Sequence, residues 1–153
     1  MSGADHAACR DDFPKGLEHR EWVCTIGLNA DSERALRYAS QAAHNVHANL
    51  TLVHVIPGSG PDLPMQLELE ERLQSEKREA ASRRIEELQS VVGSHARVSI
   101  AIGPTKDMLV EEARRLQADV LVIGRSPQSG MLGRLRDLSY AVVRDAPCPV
   151  LSV

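Results

Sequence analysis

Apolar residues gather into short runs along the chain, and stretches of helical spacing separate them. "WVCTIGL" (Trp22–Leu28) is apolar, rich in β-formers and closed by a glycine, so it reads as a first strand. After it, Ala35, Leu36, Ala39, Ala42, Ala43 and Val46 recur on one narrow, small-residue helix face, with Asn29, Asp31 or Ser32 available as cap. "LTLVHVI" (Leu50–Ile56) is the second strand, and "PGSGP" stops it. A long charged helix is predicted from Leu67 to Val92, with Leu69, Leu73, Ala80, Ala81, Ile85 and Leu88 as one apolar stripe. Its glutamates and arginines read as a solvated face with i,i+4 pairs. "ARVSIAI" (Ala96–Ile102) alternates as a third strand does, and Thr105 is the expected cap of a helix that turns Met108, Leu109, Ala113 and Leu116 inward. "DVLVIG" is wholly apolar between its opening Asp119 and its closing glycine, as a central parallel strand is. A glycine-bearing loop follows it, "GRSPQSGMLGRLRD" (Gly124–Asp137). Then come a helix through "LRDLSYAVVRDA" and a last strand in "CPVLSV".

Strict alternation of strand and helix implies right-handed crossovers and a parallel sheet covered on both faces. Ligands of such sheets bind beyond the carboxyl ends of the strands, where the strand order reverses. Gly27 and Gly124 each end a strand where that crevice is expected.

Composition narrows the function. A net charge of −3 and 3% aromatic residues give neither the electrostatics nor the stacking platforms that nucleic acid calls for. No run approaches the roughly 18 apolar residues of a membrane span. Residues 1–20 lack the apolar core of a secretory signal and read as a mobile tail ahead of one domain, 21–153. Three cysteines, Cys9, Cys24 and Cys148, form neither a disulfide framework nor a zinc pattern, which fits a reducing, cytoplasmic compartment. His44 and His47 have metal-compatible spacing on a helix but no evident third ligand, and read as a polar face. His54 lies in the second strand, within reach of the crevice or bonded within the sheet. Ser126 and Ser139 lack a nucleophile elbow, and neither a Walker A sequence nor Gly-x-Gly-x-x-Gly occurs.

"TIGLNADSERAL", "LVHV", "ADVLVIG" and "VVRDAPCPVLSV" together resemble the universal stress protein family, from about Glu21 to Val153. The resemblance implies a three-layer α/β/α fold like that of the adenine nucleotide α-hydrolases. Its five-stranded parallel sheet has the order 3-2-1-4-5, with helices on both faces. It also implies a homodimer through the last strand, Pro149–Val153. One branch of the family binds ATP. That branch has an aspartate at the end of strand one, then Gly-x-x-Gly, nine residues, and Gly-Ser or Gly-Thr. Carried over one position at a time, the aspartate falls on Gly27, which leaves no carboxylate acceptor there. The first loop glycine is kept as Gly124, the second falls on Pro127, and the closing pair falls on Arg136 and Asp137. Proline has no N–H to give a phosphate oxygen, and Asp137 repels one.

The resemblance therefore implies a non-catalytic cytoplasmic stress-response domain that acts by protein contacts, with no cofactor and without family-type ATP binding. The alternative is a nucleotide-binding regulator holding ATP with Mg²⁺ in a reshaped loop. Its adenosine side would be Thr25, Gly27, Val55 and Ile123, and its phosphate side Gly124, Arg125, Ser126, Gly130, Gly133, Arg134 and Arg136. Gly130 and Gly133 otherwise read as turns ahead of the last helix.

Overall fold

The computed structural model describes residues 20–58, 67–124 and 132–153, and for residues 132–137 the backbone. The tail expected over 1–20 lies outside the described residues, save Arg20. Strands β1 (Glu21–Thr25), β2 (Asn49–Ile56), β3 (Arg97–Ile102), β4 (Val120–Ile123) and β5 (Val150–Ser152) alternate with helices α1 (Ser32–Asn45), α2 (Leu67–Val92), α3 (Thr105–Arg115) and α4 (Leu132–Asp145). All strand pairings are parallel, in the order β3-β2-β1-β4-β5. The five-stranded order that the resemblance implies is the order found.

Side chains alternate across the sheet, and each face has its own core. Trp22 and Cys24 of β1, Ile26 just past its end, Leu52 of β2 and Val122 of β4 pack against α1 and α2. The α1 face is built from Ala35, Leu36, Ala39 and Ala43, and α2 adds Ile85. On the other face Val23, Val53, Val55, Leu121 and Ile123 meet Leu109 of α3 and Val142 of α4. The small α1 residues bring that helix close to the sheet, as their spacing predicts.

Thr51 breaks the pattern. It stands opposite Val23 in the register, in the row of Val53 and Val55, 3% exposed, and its Oγ1 makes no hydrogen bond. A buried hydroxyl without a partner keeps its desolvation cost. Thr51→Val is expected to raise the unfolding free energy by about 1 kcal/mol in urea titration. A fall of that size would mean that the hydroxyl has a partner in the folded chain.

Several boundaries differ from the sequence expectation, most by a residue or two, and three of the differences have a local cause or consequence. β1 stops at Thr25 rather than Leu28, although the Ile26 N–H still donates to the Val53 carbonyl at 2.9 Å. Leu28 has φ 55°, the left-handed region that a strand cannot continue through. Thr105 is the first helical residue of α3, and Pro104 holds the cap position with φ −59°. α4 begins at Leu132, so Gly133 lies inside its first turn rather than in a turn ahead of it. In α1 the cap position is Asp31, but the hydrogen bonds there run between its neighbours Asn29 and Ser32.

Helix ends explain one histidine. α1 closes with bonds from His47 N–H to the His44 carbonyl and from Ala48 N–H to the Ala43 carbonyl, with His47 at φ 55°. α3 closes the same way on Gln117, at φ 51°. α2 uses Gly93, φ 76°, where a side chain would be strained. His47 is thus a cap, and no group of three metal-ligating side chains occurs among the described residues.

Ion pairs tie the layers together at the surface. Lys106 Nζ of α3 lies 2.6 Å from Asp145 Oδ2 of α4, and Arg144 Nε donates to Asp145 Oδ1 at 2.9 Å. Arg144 and then Lys106 hold the Asp145 carboxyl well below the usual carboxylate range. Glu112 on α3 accepts from Arg115 and from Ser99 Oγ of the edge strand β3, and Arg115 is the larger cause of its lowered pKa. Among the described residues no helix is long and apolar enough to cross a membrane.

Candidate functional site

The sheet order reverses between β1 and β4, since β1 crosses to β2 on one side and β4 runs to β5 on the other. At that point, beyond the carboxyl ends of β1 and β2, lies a cleft of about 520 Å³. Its floor is Thr25, Ile26 and Gly27 from β1 and its exit, with His54, Val55 and Ile56 from β2. One side is the start of α1, with Asn29, Asp31, Ser32 and Ala35. The facing wall is α2, through Lys77, Ala80, Ala81 and Arg84. Gly124, Thr105, Leu109 and Leu138 complete it. The volume falls within the range of pockets that take small organic ligands.

The turn from β1 into α1 sets the chemistry of the floor. Asn29 Oδ1 accepts from the Asp31 N–H at 3.2 Å and from Ser32 Oγ at 3.1 Å, and Ser32 Oγ accepts from the Asn29 N–H. A backbone N–H only donates, so Oδ1 is fixed as the acceptor and the amide cannot flip. The Nδ2 group then lies over Gly27, 3.1 Å from where a Cβ would stand. A Cβ at this position would have to push the amide back by a few tenths of an ångström. The end of β1 presents a hydrogen-bond donor.

Around this floor each polar group has a defined state. The Nδ1 of His54 lies 2.7 Å from the Ile26 carbonyl, which can only accept, so Nδ1 carries a proton. His54 therefore meets both expectations, bonded within the sheet and lining the cleft. Arg84 Nη2 donates to the Leu28 carbonyl at 3.0 Å, bracing the turn in which Leu28 takes its strained φ. Asp31 lies in the cleft with Arg34 at 3.9 Å. A carboxylate is thus present after all, four residues past Gly27, where matching position by position finds none. Beneath the floor, Cys24 is fully buried and burial pushes its thiol up to about 12, which leaves it unreactive.

Of the residues singled out from sequence, Thr25, Gly27, Val55 and Gly124 line this cleft together. Ile123 is buried at the end of β4 and does not line it. Arg125, Ser126, Pro127 and Gly130 lie outside the described residues, and Gly133, Arg134 and Arg136 are described only as backbone of α4. Sequence reasoning treated Asn29, Asp31 and Ser32 only as caps, and left out the α2 wall. A signal for that wall was present: Lys77 and Arg84 fall on the helix face that also carries Ala80 and Ala81.

A parallel sheet covered on both faces, with a polar-floored cleft at its switch point, defines a doubly wound α/β protein. The chain belongs to the universal stress protein family, whose model matches residues 22–153. It is 27% identical over 143 residues to universal stress protein A homolog 1 of Coxiella burnetii, covering 90% of this chain and 97% of that one. The fold is that of the universal stress protein UspA from Lactobacillus plantarum, with TM-score 0.69, 18% identity, and 88% and 97% of the two chains covered. A universal stress protein in complex with cAMP matches with TM-score 0.58 and 24% identity, over 88% of this chain and 95% of the other.

Proposed function

We propose that this stress-response protein is non-catalytic, acts in the cytoplasm through protein contacts, and does not hold ATP in the family manner. The observation that carries this reading is the Asn29 amide over Gly27, a donor where the ATP-binding branch offers a carboxylate. Substitution of the loop by Pro127, Arg136 and Asp137 supports it from sequence. The cleft hydroxyl of Ser32 is bonded to Asn29 rather than to His54, so it is not poised as a nucleophile. Free Cys24 and Cys148 support a reducing compartment. For the contacts themselves we propose a homodimer through Pro149–Val153. Among the described residues β5 pairs with β4 alone and its outer edge is open, and Tyr140 and Val143 are exposed on α4.

A second reading is a ligand-binding regulator. The open cleft favours it, as does the cAMP named for one structural relative. Calorimetry separates the two. MgATP titrated into protein freed of co-purified nucleotide is expected to give no heat and no thermal stabilisation at millimolar concentration. Micromolar binding would overturn the first reading in favour of the second.

A further inference from the structure

Along α2, Lys77, Ala80, Ala81 and Arg84 recur at i, i+3, i+4 and i+7, and all four line the cleft. The alanines keep the helix close to the sheet rim. The two long cationic side chains bracket them, two turns or about 10 Å apart along the axis. Of the other basic residues of α2, Arg83 has Glu79 at 3.6 Å, while Arg72 and Arg78 form no ion pair among the described residues. Lys77 forms no ion pair among the described residues, and Arg84 reaches away from its own helix to the Leu28 carbonyl. No carboxylate of α2 is among the described lining residues, and Asp31 across the cleft has Arg34 beside it. The Asn29 amide adds a third donor from the floor. Below these groups the walls are apolar, with Ile26, Ala35, Val55 and Leu109.

We infer that the cleft is a site for a small organic phosphate monoester whose anion is held from α2, by Lys77 and Arg84 with Asn29 Nδ2, rather than from the loop after β4. The guanidinium supplies a planar fork and the ammonium a point charge, the two cationic donors that recognise phosphate. The apolar walls take the organic body. This inference rests on the ligand-binding reading above.

The test uses AMP, adenosine and inorganic phosphate as probes, titrated calorimetrically into the full nucleotide-free chain. AMP is expected to bind about a hundredfold tighter than adenosine, because adenosine loses both charge-assisted contacts and each costs about tenfold. Inorganic phosphate alone should bind more weakly than AMP. Lys77→Gln is expected to weaken AMP about tenfold while leaving adenosine unchanged, and Lys77→Arg to restore it. Arg84→Gln should weaken AMP similarly, with its melting temperature reporting whether the Leu28 turn still holds. Unchanged AMP affinity in both glutamine variants would overturn the α2 assignment while ligand binding stands. Adenosine binding as tightly as AMP would overturn the phosphate assignment. No binding of either AMP or adenosine at millimolar concentration would remove both this inference and the reading beneath it.

Discussion

Ile85→Ala is expected to lower the unfolding free energy by about 3 kcal/mol, a large share of the stability of a domain this size. α2 runs for 26 residues, yet its buried residues are Ala81 and Ile85. Ile85 is 0% exposed and sits in the cluster of Trp22, Leu36 and Leu52. Truncating it removes the transfer free energy of three carbons and leaves a cavity that the sheet cannot close. The rest of α2 cannot compensate, because its other faces are polar and its surface ion pairs contribute little. Leu69 and Leu73, 60% and 46% exposed, belong to the stripe predicted from sequence. Leu69→Ala and Leu73→Ala are each expected to change stability by less than about 0.5 kcal/mol in the same urea titration. A cost at Leu73 equal to that at Ile85 would mean that the first half of the helix is covered in solution.

The second large effect lies at alkaline pH. Burial raises the Cys24 thiol from 9.0 in the unfolded chain to about 12 in the fold. Between those values the unfolded chain has released the proton and the folded chain keeps it, so folding takes up one proton. Stability is therefore fully present below pH 9 and falls as pH rises towards 12, by up to about 4 kcal/mol at 1.36 kcal/mol per unit. The comparison with Cys24→Ala isolates the thiol from every other group that ionises at alkaline pH. The variant's stability is expected to fall with pH less steeply, by up to one proton in the slope. Parallel curves for the two proteins would sink the claim.

Much of the architecture was legible because its causes are local. The alternation of apolar runs with helical spacing sets the element order, and the Leu67–Val92 bounds of α2 were found as read. Where β1 ends was not legible: Leu28 enters the left-handed region only because Asn29 and Ser32 close a turn that Arg84 braces from another helix. The two glycines at strand ends, Gly27 and Gly124, both line the cleft. What lies over Gly27 depends on how the Asn29 amide is bonded, and spacing carries no information on that. The stripe of α2 was periodic as expected, but its first half does not reach the core. Periodicity names a face and does not say how far the sheet beneath it extends. The same limit hid Lys77 and Arg84, which look solvated until the rotation of α2 about its axis is known.

α2 is about 39 Å long, while the eight residues of β2 span about 26 Å. From Leu67 to Ala80 the helix has no buried residue, and its anchorage begins at Ala81. It is therefore a lever with its fulcrum from Ala81 to Ile85; Arg84 stands within that fulcrum and Lys77 one turn out on the outer arm. A partner that shifted the outer arm would shift Lys77 relative to the floor of the cleft. By linkage the effect is mutual: an occupant that fixes Lys77 alters the affinity of the outer arm for its partner by the same factor.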